Sequence, residues 1–389
     1  MSNYGISHSL PSWLDNRAAG VLLHPSSLPG CQGIGSLGNE ARRFVDFLES
    51  SGFCYWQTCP VGPTGFGDSP YQVFCSSAGN PYFIDWSPLV DLGLLQSSDL
   101  FGLQNLSTAH VEYGYLYNEF YPVARTAFAN FQKNKSILES RYGNFEDFKN
   151  RHSWLKTYAC FQSLKFFKNN EPWWSWDYEY KCSLDFDKIL ADHHEEATFH
   201  FFLQYLFFGQ WLELKSYANK RGIFLLGDLP IYAAPDSSEV WANQKLFQIN
   251  TENSAFEYVA GVPPDYFNME GQFWGNPLYD WKEHEKEEYS WWIDRLKSQT
   301  EIFDVVRIDH FRAFNDYWSI PSSGNAKQGT WKLGPGIKFW NKINETFPDR
   351  PFLAEDLGLI SEEVRNLRDL AGLPGMAVLQ FAFDGDAKN

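Results

Sequence analysis

Lys220-Arg221-Gly222-Ile223-Phe224-Leu225-Leu226-Gly227-Asp228 is the stretch on which the fold turns. Two basic side chains followed by glycine end a helix. Ile223 to Leu226 is then apolar without alternation, and Asp228 closes the run with a carboxylate. A strand hydrophobic on both faces belongs in a buried parallel sheet, because an antiparallel sheet with one wet face alternates. Working outward, the same pattern predicts six strands, at 20–24, 55–61, 223–231, 305–311, 352–357 and 376–383. Helical periods lie between most of them. Ala41, Phe44, Val45 and Leu48 form one stripe over 40–51, and Gly52 is placed to end it. Ser361 is placed to cap a helix over 362–371 in which Val364, Leu367, Leu370 and Ala371 share a face, with Gly372 and Pro374 stopping it. Alternation of buried strands and amphipathic helices predicts a parallel α/β fold.

Two stretches break the alternation. Residues 88–195 are aromatic and carry helical patterns over 113–131 and 144–167, which predicts an inserted helical subdomain. Residues 236–281 are rich in Asn, Pro, Gly and rings and read as a long functional loop. The expected division is a barrel start over 1–87, the insert over 88–195, and the later strands over 196–389 with the 236–281 loop inside them.

Composition narrows the function. With 32 basic and 48 acidic residues the net charge is −16, which argues against nucleic acid or an anionic membrane surface as partner. No window approaches the roughly 18 consecutive apolar residues of a membrane helix, and the N-terminus has no signal-peptide pattern. The six cysteines form no Cys-x-x-Cys pair and read as free thiols of a cytoplasmic protein. The nine histidines show no metal spacing. Aromatic content is 18%, more than a core of this size needs, and the excess points to a flat neutral ligand such as a sugar.

Chemistry is concentrated at the strand ends. Asp228, Asp309 and Glu355 each follow an apolar strand, where barrel enzymes place catalytic groups. One such acid alone reads as a helix cap or loop ion pair; three together read as a site. Arg307 and Asp309, two apart on a strand, share a face, so the guanidinium is expected to lower the Asp309 pKa and suit it to act as nucleophile. Glu355 has Leu353 at the equivalent position and is free to hold a proton as general acid, then base. Oppositely tuned carboxylates are what a retaining glycoside-cleaving site requires. Asp356 points the other way along its strand and takes a secondary role. Rings mixed with amides and acids, in Asp265-Tyr266-Phe267, Gln272-Phe273-Trp274-Gly275-Asn276 and Gly67-Asp68-Ser69-Pro70-Tyr71, suit sugar faces and hydroxyls. Trp173-Trp174-Ser175-Trp176 reads as a packing seam of the helical insert.

The chain resembles the 4-alpha-glucanotransferases (amylomaltases, or disproportionating enzymes) of glycoside hydrolase family 77. The resemblance rests on many stretches in order, among them Gly20-Val21-Leu22-Leu23-His24-Pro25, Gly67-Asp68-Ser69-Pro70-Tyr71-Gln72, Gly227-Asp228-Leu229-Pro230-Ile231-Tyr232, Val262-Pro263-Pro264-Asp265-Tyr266-Phe267, Gly271-Gln272-Phe273-Trp274-Gly275-Asn276-Pro277, Arg307-Ile308-Asp309-His310-Phe311 and Ala354-Glu355-Asp356-Leu357-Gly358. It implies a (β/α)₈ TIM barrel with inserted subdomains. It also implies transfer of a segment of an α-1,4-glucan or malto-oligosaccharide to the 4-hydroxyl of another sugar. Asp309 corresponds to the family's nucleophile and Glu355 to its acid/base. Arg307, His310 and Asp228 correspond to groups that hold the sugar at the cleavage point. Asp265, Tyr266, Phe267, Gln272 and Trp274 fall in the acceptor-side loop, and Tyr71 corresponds to a donor-side aromatic. Asp68, Ser69, Asn276 and Asp356 complete the expected substrate-binding set. The resemblance implies no cofactor and no protein partner. A retaining α-glucan hydrolase and an inactive glucan-binding form are the alternative readings.

Two departures from the family pattern stand out. Phe66 replaces a tyrosine found in some members at a loop linked to a secondary glucan site. The family also has a His-Asp pair beyond the sixth strand, whereas this chain reaches Asn389 without one; Asp384 and Asp386 read as tail residues. The expectation is a barrel short of its last two strands and, if the molecule stops at Asn389, little or no transferase activity.

Overall fold

A computed structural model describes residues 11–250, 254–265, 268–358 and 360–383, and of Phe66 and Phe381 the backbone. Five parallel strands form the central sheet: β1 (Gly20–Leu22), β2 (Tyr55–Gln57), β3 (Phe224–Pro230), β4 (Val305–Asp309) and β5 (Phe352–Ala354), hydrogen-bonded in that order. The chain thus winds in one direction around the sheet, each strand joining its predecessor. Each crossover ends in a helix that covers the sheet. Asn39–Ser50 precedes β2, His194–Asn219 precedes β3, Ser290–Ile302 precedes β4 and Ile337–Thr346 precedes β5. A last helix, Glu362–Ala371, follows β5.

The helix ends follow the residues that signal them. Gly52, Gly222 and Gly372 all adopt left-handed φ just past a helix end, at +76°, +72° and +68°. Ser361 does stand at the N-cap position of the last helix, but its side chain makes no cap hydrogen bond, and Leu370 is exposed rather than on the buried face. Val364, Leu367 and Ala371 alone carry that face into the core. In β3, Gly227 leaves room for Phe303: a Cβ there would lie 2.2 Å from the ring. One continuous apolar core joins Val45, Trp56, Leu225, Val306, Phe352 and Val364 to the rings of the helices over 113–211. Those helices include Tyr113–Lys133, Ser153–Phe167 and most of His194–Asn219. Trp173 and Trp176 are buried as a packing seam, and the Trp173 indole donates to the Pro235 carbonyl at 2.8 Å.

Two expectations are overturned. Residues 376–383 do not form a sixth strand: Leu379–Phe383 is a 3₁₀ helix, with Leu379 and Phe383 exposed. The chain runs beside β5 as far as Pro374, whose carbonyl accepts from Ala354 N–H at 2.9 Å, and then leaves it. A short apolar run does not distinguish strand from helix, so the neighbours decide. Residues 236–281 are also not an open loop. They hold the helix Ser238–Ala242, a short hairpin of Ile249–Asn250 with Ala255–Phe256, and the strands Tyr258–Val262 and Gln272–Pro277. The last two join Asp316–Pro321 and Thr330–Leu333 in a four-stranded antiparallel sheet. Its spatial order is 330–333, 316–321, 258–262, 272–277, so half of its partners lie some fifty residues further along the chain. Strand character that depends on such distant partners is invisible in local sequence.

Among the described residues, no helix is long and apolar enough to cross a membrane.

Candidate active site

The parallel register assembles the acids. Asp228 on β3 lies directly opposite Arg307 on β4, and Pro230 lies opposite Asp309. Because side chains of paired residues point to the same face, the guanidinium meets two carboxylates. Arg307 Nη1 is 2.6 Å from Asp228 Oδ1 and 2.9 Å from Asp309 Oδ1. The second Asp228 oxygen accepts the Tyr71 hydroxyl at 2.8 Å. A polar chain, Tyr71–Asp228–Arg307–Asp309, therefore runs across the ends of two strands. Asp228 is almost fully buried, with both carboxylate oxygens engaged, so it braces Arg307 from behind rather than facing the cleft.

Glu355 follows β5 immediately and is held by backbone. His310 N–H donates to Oε2 at 2.8 Å and Leu357 N–H to Oε1 at 3.0 Å. His310 can aim its amide there because the chain turns sharply after β4, with φ +54° at His310. A left-handed residue that is not glycine is uncommon and marks a place where the surroundings impose the conformation. Its ring is buried, and the burial lowers its pKa to about 4, so the imidazole is neutral near pH 7. Nε2 has no hydrogen-bond partner among the described residues, and the ring meets Trp274 edge-on at 4.9 Å.

The electrostatics correct the sequence expectation for Asp309. Burial pushes its pKa up, to about 7, and outweighs the downward pull of Arg307; Asp228 and Glu355 push the same way as burial. The guanidinium does favour the ionised form, but it is shared with Asp228, and removing a carboxylate from water costs more than half a counter-ion returns. Burial also raises Glu355, against Arg307 and its two backbone donors, and raises Asp228, against Arg307 and Tyr71. Burial opposes the Arg307 cation, but the carboxylates around it outweigh that and hold its pKa above the usual value. The site is thus a partly buried cluster of three acids around one permanent cation, with Asp228 the deepest.

Two lobes of a cleft meet at Asp309. One, of about 280 Å³, contains Glu355, His310, Arg307 and Asp265. The other, of about 370 Å³, contains Tyr71, Tyr232 and Asn276. Asp309, Gln272 and Trp274 border both. The Trp274 indole N–H donates to Gln272 Oε1 at 3.0 Å, which fixes the ring at the junction. Asn276 is buried, donates to the Ala233 carbonyl at 2.9 Å and accepts from Gln72 at 3.2 Å, so it locks the wall of the second lobe. The Asp265 carboxylate accepts the Asn268 N–H at 2.7 Å at the rim of the first.

Three expected site residues lie elsewhere. Asp68 borders a separate cavity of about 300 Å³ with Tyr82, Tyr117 and Arg125. The left-handed turn at Gly67 and Asp68 directs it there, away from Asp309. Ser69 accepts the Tyr71 N–H at 3.2 Å and shapes that turn. Asp356 alternates to the far side of the strand end, as its parity demands, and is paired with Arg368 and with the Met376 N–H at 2.8 Å. Tyr266 and Phe267 lie outside the described residues. Tyr232, Arg312 and Trp331 line the cleft without having been anticipated. Tyr232 and Arg312 follow strand-end acids within a few residues, which was a usable signal; nothing local marks Trp331.

Comparisons with known proteins agree with this geometry. The sequence model of the 4-alpha-glucanotransferases, glycoside hydrolase family 77, matches residues 23–389. The 4-alpha-glucanotransferase of Thermus thermophilus is 48% identical over 380 residues, covering 96% of this chain and 74% of the relative. That of Clostridium butyricum is 44% identical over 372 residues, covering 94% of this chain and 75% of the relative. Among solved structures, the amylomaltase from Streptococcus agalactiae in complex with acarbose superposes with a TM-score of 0.89 at 37% identity, over 96% of this chain and 76% of that one. The parallel sheet with its covering helices is therefore the TIM-barrel architecture of these enzymes, and the chain belongs to the 4-alpha-glucanotransferase family, glycoside hydrolase 77.

Proposed function

We infer that the cleft cleaves an α-1,4-glucan or malto-oligosaccharide with retention and passes the bound segment to the 4-hydroxyl of a second sugar. The observation that carries this reading is the placement of the two carboxylates. Asp309 borders both lobes of the cleft, while Glu355 opens into one. A nucleophile belongs at the scissile bond, and an acid/base belongs on the side of the leaving group. The lobe with Tyr71 and Tyr232 then holds the donor segment, and the lobe with Glu355 holds first the leaving group and later the acceptor.

In the first step an Asp309 carboxylate oxygen attacks the anomeric carbon. The bond from that carbon to the bridging oxygen breaks, and Glu355 gives its proton to that oxygen as it leaves. In the second, Glu355 takes the proton of the acceptor's 4-hydroxyl as its oxygen attacks the same carbon, and the Asp309–carbon bond breaks. Arg307 holds Asp309 in place and favours its ionised form. His310 lines the same lobe and holds Glu355 in place through its backbone N–H. Transfer in preference to hydrolysis requires that the covalent intermediate meet a sugar before water, and Trp274 at the junction excludes water there.

The homologous enzymes' names support this substrate class, as does the acarbose bound to the Streptococcus agalactiae amylomaltase. The six free cysteines support a reducing, cytoplasmic setting. Incubation with maltotriose tests the function. Glucose together with chains longer than maltotriose is the expected product set; glucose and maltose alone would identify a hydrolase.

A further inference from the structure

The four-stranded antiparallel sheet carries a second tryptophan to the cleft. Trp274 lies on its strand at one edge and Trp331 on its strand at the opposite edge, and both border the lobe that holds Glu355. Both rings line one lobe of about 280 Å³, so a sugar chain entering past Trp274 comes within reach of Trp331.

Trp331 is held as a rigid platform. It pairs in register with Trp318, whose ring packs against it at 5.0 Å and whose indole N–H donates to the Ala326 carbonyl at 2.8 Å. The Arg312 guanidinium lies 3.9 Å from the Trp331 ring centroid and is fixed in turn by Asp316 at 2.9 Å. With one side backed by a cation, the ring is still 39% exposed. A large aromatic left open at the wall of a cleft is a ligand surface when the surrounding sheet cannot move to cover it. An apolar face with N–H donors at its edge matches the C–H face and hydroxyl rim of a pyranose.

We propose that Trp331, backed by Arg312, is an outer sugar-binding platform on the acceptor side that favours long malto-oligosaccharide acceptors over short ones. The proposal rests on the reading of the Glu355 lobe as the acceptor side.

The test is a series of acceptors, from glucose through maltose and maltotriose to longer malto-oligosaccharides, at one fixed donor. In the unaltered protein the acceptor KM should go on falling as the acceptor lengthens past maltose. Trp331→Ala should narrow the KM gap between glucose and the longest acceptor by roughly three- to tenfold, the scale of one aromatic contact. Trp331→Phe, which keeps a ring, should restore most of the gap. Equal gaps in the unaltered protein and Trp331→Ala overturn the proposal and leave the acceptor-side reading standing. Should Trp331→Ala not fold, the unaltered protein decides: a KM that stops falling at maltose overturns the proposal. Absence of transfer to every acceptor would instead remove the underlying reading, and the proposal with it.

Discussion

Arg307 and Asp228 face each other across neighbouring parallel strands, with Nη1 2.6 Å from Oδ1, and the same nitrogen lies 2.9 Å from Asp309. One cation therefore serves two buried carboxylates. Asp228 is the deeper of the two and is braced again by Tyr71, so it fixes where Arg307 stands. Arg307 in turn fixes Asp309. The position of Asp309, the proposed nucleophile, is thus set by Arg307 on its own strand, which is itself braced from the neighbouring one.

Removing the cation should disable the site through protonation as well as position. In Arg307→Met, two buried acids would face each other without compensation, and breaking such a pair by deleting one partner costs about 3–5 kcal/mol. Asp309 would then rise further above its already raised pKa. The expected result is a loss of about 100-fold or more in kcat/KM for maltotriose at pH 7, with the acid limb of the profile displaced to higher pH. A profile that keeps its shape while falling in height would mean that Arg307 acts on geometry alone.

The unaltered protein should itself show an acid limb near neutrality. The proposed nucleophile has to be ionised, and burial raises Asp309 to about 7. kcat/KM, which reports the free protein, should therefore fall as pH drops through about 7. His310 does not supply this limb, since burial lowers it to about 4. A kcat/KM that stays level from pH 8 down to about pH 5 would show that Arg307 outweighs burial after all.

How much of this was readable depended on whether the cause was local. β3 and β4 were legible because a strand buried on both faces is apolar throughout, and Asp309 and Glu355 stood out as candidates only because three acids, not one, follow such strands. The Asp228–Arg307 pair spans 79 residues and exists by virtue of sheet order and register, neither of which periodicity encodes. For the same reason the Asp309 shift was misjudged: the partner two residues away was visible, while its sharing with Asp228 and the depth of burial were not. Trp331 reaches the cleft through three strand pairings, and the run over 376–383 had the composition of a strand but turns away from the edge of β5 after Pro374. The split of Asp356 from Glu355 was the reverse case, since alternate directions of adjacent residues need no tertiary knowledge.

The raised acids also predict a stability cost of function. A carboxyl whose folded pKa lies above its unfolded value contributes stability that is fully present below the unfolded pKa and is lost as pH rises through the folded one. For Asp309 that window runs from the ordinary carboxylate value of 3.8 to about 7. Asp309→Asn removes the titration while keeping size and shape. Its Tm should therefore exceed that of the unaltered protein at pH 8, by about 1 °C for each kcal/mol relieved in a chain this long, with the difference closing near pH 4. Thermal melts at the two pH values check this. A difference independent of pH would point to packing rather than to the buried charge.

Trp274 offers the sharpest separation of transfer from hydrolysis. Its ring borders both lobes, is pinned to Gln272 by its indole N–H, and packs edge-on against His310 beside Glu355. A glycosylated Asp309 would lie beneath it. Replacing the ring by a methyl opens a path for water to the anomeric carbon and withdraws the apolar surface against which an acceptor rests. Both changes act in the same direction. Trp274→Ala should lower the rate of transfer from maltotriose and raise the share of donor that ends as free reducing sugar, while Trp274→Phe should fall between the two. Product ratios at matched conversion decide it. An unchanged ratio in Trp274→Ala, at whatever overall rate, would mean that water is kept from the intermediate by something other than this ring.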